Sequence, residues 1–257
     1  MTNDNKPAGI QSLQIGLNIL EILANHKEPL KFTDIQNSTS MTKSNLYKYL
    51  TTLVQFGLIH RNPDSNAYSL GYKLIQLGNA ALEQSPILEM VIPYLKNINE
   101  KTNLTALLAL PSKNGPLVSY ISSAYYGINI GAQIGTHLPH HTSTGSIFLA
   151  FSSNSEILEW RQEVMSSLPS TNKIYLEKEL EIIRMLGFAT KIEPLVQHVS
   201  SFSVPLLNYN RDLIGAITIV GYTEMIPKTK DHPTSEYVIE AAKRISELYG
   251  CKQWSPV

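Results

Sequence analysis

Along residues 42–56, apolar side chains return at three- and four-residue steps. Leu46, Tyr49, Leu50, Leu53 and Val54 share one side, which predicts a helix with a single buried face. Thr42, Lys43, Ser44, Asn45, Tyr47 and Lys48 lie at its start and on the opposite side, crowded into the first two turns. Before it come a short helical segment at 33–38 and a Thr39-Ser40-Met41 turn, with Thr42 placed to cap the longer helix. After Gly57, residues 58–61 and 68–70 read as two short strands around Asn62-Pro63-Asp64-Ser65-Asn66, a run of turn formers. Residues 11–25 predict a further helix that is apolar nearly all round. Leu13, Leu17, Leu20 and Ala24 form one stripe, and Ile15, Ile19 and Ile22 the other. A helix of this kind needs two partners. Either one stripe faces the local core while Ile15 and Ile19 meet a second copy, or both stripes are buried in one domain.

The pattern changes after residue 71. A helix is predicted at 72–84, closed by Ser85-Pro86, and another at 87–101 despite Pro93, which would kink it or start a new turn. Strand-like runs follow at 104–110, 117–122, 128–133, 188–192, 201–207 and 213–220, with helical segments at 145–152, 155–166, 175–187 and 235–249. Strands grouped with helices between and after them give an α+β fold on an antiparallel sheet. The expected division is a winged helix-turn-helix at 1–71, a linker helix at 72–84 and a second domain at 85–257.

A helix-turn-helix with a wing, and a polar face at the start of its second helix, points to double-stranded DNA. That face is where a helix in a major groove meets bases and phosphates. Charge agrees locally. The 257 residues carry no net charge, but residues 41–73 hold Lys43, Lys48, Arg61 and Lys73 against Asp64, a local excess of +3. Arg61 either reaches a phosphate or is simply solvated. The composition, 43% apolar and 16% charged, is that of a globular chain. One cysteine, Cys251, excludes an internal disulfide framework and fits a reducing compartment. No apolar run is long enough for a membrane span, and residues 1–9 lack the apolar core of a signal peptide, so a cytoplasmic protein is expected.

Enzyme motifs are missing: there is no Gly-x-Ser-x-Gly elbow, phosphate-binding glycine loop or Gly-x-Gly-x-x-Gly after a strand. The alternative rests on His137, His140 and His141. Three imidazoles within five residues could hold zinc in a metal sensor or a hydroxyl-dependent enzyme, although Pro139 falls between them. The competing assignment has His141 bonding the backbone at the mouth of the next helix. No cofactor or metal is expected.

Several motifs in order resemble the IclR family of bacterial transcriptional regulators: Ile10 to Leu13, Lys43-Ser44, Arg61 to Asp64 with Tyr68 to Gly71, Leu74 to Gly78, Gly135 to Pro139 with His141, Gly187 to Ala189, Ser203 to Pro205 and Ile217 to Gly221. The resemblance implies a winged helix-turn-helix, a GAF-like effector-binding domain, and homodimers or homotetramers on palindromic operators. It also implies a repressor whose operator affinity responds to a small organic or aromatic acid. Carried over position by position, it places Ser143, Thr144, Gly145, Lys191, Ser201, Thr218 and Val220 in the effector site. Two positions depart from members that bind small keto acids: Lys191 stands where those tend to be acidic, and Val220 where they carry a hydroxyl. A lysine in the pocket would favour an anion, and Val220 with Tyr125 and Tyr126 an apolar or aromatic body; alternatively Lys191 points to solvent.

Overall fold

The computed structural model describes residues 9–123, 131–151 and 155–254. Packing divides the chain into two compact units, 1–85 and 86–257.

In the first unit, α1 (Gln11–Ala24), α2 (Phe32–Thr39) and α3 (Lys43–Gln55) are followed by the hairpin strands β1 (Ile59–Arg61) and β2 (Tyr68–Leu70) and by α4 (Tyr72–Glu83). Ile19, Leu23, Ile35, Leu46, Leu50, Leu53, Ile59 and Tyr68 make its core. The Asp34 carboxylate accepts the Lys31 N–H at 2.9 Å and closes the start of α2. Ser40, in the left-handed region at φ 53°, turns the chain into α3. The wing is held at its base: Leu30 and Tyr68 exchange backbone hydrogen bonds of 2.9 and 2.7 Å. Gly71 leaves room only for hydrogen, because a Cβ there would collide with the Gly57 carbonyl.

Three expectations need correction here. The side chain of Thr42 makes no capping bond to α3. Val54 is exposed, since it sits on the rim of the Leu46, Leu50, Leu53 stripe. On α1 the core takes the isoleucine side: Ile19 is wholly buried and Ile15 and Ile22 partly so, while Leu13 and Leu17 are 60% and 51% exposed. Ile15 and Ile19 are therefore core residues, and among the described residues the side of α1 left exposed is that of Leu13 and Leu17.

The second unit contains α5 (Pro86–Thr102), β3 (Thr105–Ser112), β4 (Gly115–Ser122), α6 (Ser143–Phe151), α7 (Ser155–Ser167), α8 (Ser170–Leu186), β5 (Ala189–Lys191), β6 (Val199–Leu207), β7 (Leu213–Tyr222) and α9 (Pro233–Leu248). The five strands pair antiparallel in the order β4-β3-β7-β6-β5. Period-two alternation gives the sheet two packed faces. Ala106, Leu108, Phe202, Val204, Leu206, Ile217 and Ile219 join the core built with α5 and α9. Leu107, Ala109, Val118, Ala189, Val199 and Val220 join the core built with α6, α7 and α8.

α5 runs through the exposed Pro93. The strand expected at 128–133 lies partly outside the described residues, and residues 131–133 are not strand. Tyr125 and Tyr126 also lie outside the described residues. α8 begins at Ser170, five residues before the expected start, because its Ser-Thr-Asn-Lys opening has no apolar residue to announce it. Among the described residues, no helix is long and apolar enough to cross a membrane.

Candidate functional site

The two units carry two separate candidate surfaces. On α3, Leu46, Leu50 and Leu53 point into the core, and Thr42, Lys43, Ser44, Asn45, Tyr47 and Lys48 are all exposed. At about 100° per residue, the positions opposite the leucine stripe are Ser44, Lys48, Thr51 and Gln55. Thr51 and Gln55, beyond the first two turns, extend the same exposed face, as helical periodicity requires. Asn45 and Lys48 border an open groove shared with Ser12, Leu13 and Leu17 of α1, whereas Tyr47 and Thr51 face Arg61 and Tyr68 of the wing. Arg61 is exposed and held by its own hairpin. Its guanidinium donates to Asn66 Oδ1 at 2.6 Å and sits 5.9 Å from the centre of the Tyr68 ring. The preformed, charged end of this wing is free to approach a phosphate.

In the second unit a partly open cavity of about 30 Å³ lies on the α6 side of the sheet. That volume admits one or two waters. Leu107, Leu138, Pro194, Leu195, Val196, Val199 and Val220 supply apolar wall, and Thr142, Thr144, Ser200, Ser201 and Thr218 supply hydroxyl-bearing wall. Among the described residues, no charged side chain lines it. Of the residues that the resemblance assigns to an effector site, Thr144, Ser201, Thr218 and Val220 are brought together around this one hollow. The antiparallel register explains it: Ser201 is the partner of Val220, and Ser203 that of Thr218, so all four share one sheet face.

Ser143 and Gly145 stand behind the wall. Ser143 donates to Ser201 at 2.7 Å and contacts Ser203 at 2.7 Å. Gly145 allows α6 to lie directly on the 139–140 backbone. Ser203, wholly buried, was missed; it also meets Thr218 at 2.7 Å and Thr144 at 3.4 Å, and Thr144 meets Thr218 at 2.8 Å. Five hydroxyls thus bond chiefly to one another in the core. The signal for Ser203 was available, since it alternates with Ser201 on the same strand.

Lys191 is not a lining residue of this cavity. As the cross-strand partner of Ser201 it shares the correct sheet face, but its ammonium forms a 2.5 Å ion pair with Glu179 of α8. It borders an adjoining open hollow with His140, His141, Asn172 and Tyr175. Burial, and then the neighbouring His141 and Lys191, hold the His140 imidazole below its ordinary pKa and so favour its neutral form.

His137 Nε2 lies 3.1 Å from Ser112 Oγ, while His140 and His141 meet edge to face. Among the described residues, no group of three histidine, cysteine, aspartate or glutamate side chains could hold a metal ion. The cap of α6 is Thr142 rather than His141: its Oγ1 accepts the Gly145 N–H at 3.0 Å and donates to the Pro139 carbonyl at 2.8 Å.

Comparison with known proteins agrees with both halves. Residues 12–63 match the IclR helix-turn-helix domain, and residues 79–247 match the bacterial transcriptional regulator IclR C-terminal domain. The transcriptional regulator XynR of Escherichia coli is 27% identical, the match covering 94% of this chain and 98% of XynR. The transcriptional repressor IclR of the same organism is 24% identical, covering 94% and 90%. Among solved structures, an IclR homolog of Microbacterium hydrocarbonoxydans complexed with 4-hydroxybenzoate superposes with a TM-score of 0.74 at 22% identity, covering 92% of this chain and 98% of that one. A winged helix-turn-helix followed by the hydroxyl-walled sheet unit, each matched in its own family domain, identifies the chain as a member of the IclR family of bacterial transcriptional regulators, DNA-binding proteins rather than enzymes.

Proposed function

We propose that the chain represses its target genes by seating α3 in the major groove of a palindromic operator, and that a small organic acid in the α6 cavity modulates that binding. The observation that carries this reading is the hydroxyl wall of a cavity in the unit that does not hold the helix-turn-helix. Buried hydroxyls contribute little to stability compared with a well-packed apolar wall, and they suit orientation of an oxygen-bearing ligand. The cavity as it stands is smaller than any organic acid, so occupation requires the Pro194, Leu195 and Val196 wall to give way. A ligand carboxylate could exchange with Glu179 at Lys191, the cation beside Ser201. The E. coli repressor and the 4-hydroxybenzoate complex are precedents for the two halves of this reading in other members.

The test is operator binding by fluorescence anisotropy with a panel of organic acids. An active acid should lose its effect on a Thr218→Leu variant, in which the larger side chain fills the cavity. An equal response in that variant would move the effector elsewhere. Coupling is reciprocal: an acid that weakens operator binding tenfold must itself bind the operator complex tenfold more weakly.

A homodimer or homotetramer is part of the proposal, since a palindromic site calls for paired recognition helices. The exposed Leu13 and Leu17 are the candidate contact on α1. Leu13→Glu/Leu17→Glu should weaken self-association in sedimentation and reduce cooperativity on the operator. Unchanged sedimentation would put the interface elsewhere.

A further inference from the structure

The five mutually bonded hydroxyls carry five protons, and counting them shows what this cluster can offer a ligand; of the other two on the wall, Thr142 donates to the Pro139 carbonyl and Ser200 pairs with Thr223. Ser143 donates to Ser201 at 2.7 Å. Its proton is then spent, so the 2.7 Å contact between Ser143 and Ser203 is donated by Ser203. By the same step the 2.7 Å contact between Ser203 and Thr218 is donated by Thr218, and the 2.8 Å contact between Thr218 and Thr144 by Thr144. No proton remains for the approach of Thr144 to Ser203, which is the longest of the set at 3.4 Å. The hydroxyls form one directed relay, Thr144 to Thr218 to Ser203 to Ser143 to Ser201.

The ends of the relay differ. The Ser201 O–H has no acceptor among the described residues, and the Thr144 oxygen receives no hydrogen bond from them. Both ends line the cavity, as does Thr218, while Ser143 and Ser203 do not. Chains of hydrogen bonds running one way polarise one another, which strengthens the terminal donor and the terminal acceptor alike.

We infer that the cavity selects a small molecule bearing both an acceptor oxygen for Ser201 and a hydroxyl donor for Thr144, a hydroxy acid or hydroxy ketone. Ser143 and Ser203 act as positioning residues that fix the direction of the relay. This rests on the effector site proposed above and adds the chemistry of its occupant. A keto acid satisfies the Ser201 end but sets its own acceptor against the Thr144 oxygen. Accommodating it means reversing the relay or leaving a buried group unpaired, and either costs affinity.

The experiment has two arms on the full chain. Neutron diffraction of deuterium-exchanged crystals should show the Ser201 deuteron turned into the cavity and the Thr144 deuteron on the line to Thr218. A Ser201 deuteron aimed at Ser143 overturns the relay. In the second arm, calorimetry compares lactate, pyruvate and propionate, matched in carbon number. Lactate should bind about tenfold more tightly than pyruvate or propionate, the worth of one buried hydrogen bond. Ser203→Ala, which breaks the relay behind the wall, should narrow the lactate-to-pyruvate ratio to below about threefold. Equal binding of lactate and pyruvate, an unaltered ratio in Ser203→Ala, or no binding of any of the three overturns the inference. The Thr218→Leu variant separates the two failures. Acids that bind equally but are lost in that variant leave the site standing and remove the relay, whereas acids that bind it undiminished remove the site as well.

Discussion

Gly145→Ala is expected to destabilise the effector-binding unit by about 3 kcal/mol, although alanine is ordinarily the better helix former. A Cβ at this position would press on the Pro139 carbonyl oxygen, on His140 Cα at 2.7 Å and on the His140 carbonyl carbon at 2.9 Å. All three are backbone atoms, so no side chain can swing aside. Either α6 lifts from the 139–140 segment, carrying Ser143 and Thr144 with it, or that segment is displaced. Gly78→Ala is the matched control: nothing lies within 4 Å of its added Cβ, and it should stabilise by up to about 1 kcal/mol. Urea denaturation followed separately for the two units distinguishes the cases. A loss below about 0.5 kcal/mol for Gly145→Ala would mean that the α6 contact yields freely.

The second large effect concerns DNA. Lys43→Ala/Lys48→Ala should lower operator affinity by about tenfold per lysine at low salt. If both lysines meet phosphates, it should also reduce the slope of log affinity against log salt by about two. Asn45→Ala should behave differently, relaxing preference at one base pair by about 1 to 3 kcal/mol while leaving the salt slope alone. Both follow from exposure: these residues are available on α3 while Leu46, Leu50 and Leu53 anchor the helix. Anisotropy titrations over a salt series, on folded variants, check them. An unchanged slope in the double lysine variant would remove both from the phosphate contacts.

The helices and strands were legible where burial imposes a period. Leu46, Leu50 and Leu53 announced α3, and the strand-like runs at 201–207 and 213–220 announced β6 and β7. What could not be read was any choice between equals. The two stripes of α1 are similarly apolar, and only the packing of Ile19 beside Ile35 and Leu46 in one core decides which is inside. Val54 failed for a related reason, because a residue at the rim of a stripe is apolar without being covered. Lys191 shows another limit. The resemblance named it and the observed register sets it beside Ser201, but its partner Glu179 lies on α8, and no local pattern pairs a helix residue with a strand residue across a turn. At the mouth of α6 the expected histidine is not the cap; its neighbour Thr142, an ordinary capping residue, holds the turn.

The two faces of the central sheet would open at different cost. Beneath α5 and α9 the sheet presents Ala106, Leu108, Phe202, Val204, Leu206, Ile217 and Ile219, which pack as a dry core. Beneath α6 a void and five hydroxyls stand where side-chain packing would otherwise be, and atoms that face a void forgo their dispersion contacts. Local opening is therefore expected to begin on the α6 side, with the sheet and its other backing persisting as a template. An occupant would be the missing piece of that core, and its arrival would be felt as stiffening. Slowed amide exchange along α6 is the form in which such a signal would be visible, and it needs no displacement of the sheet at all.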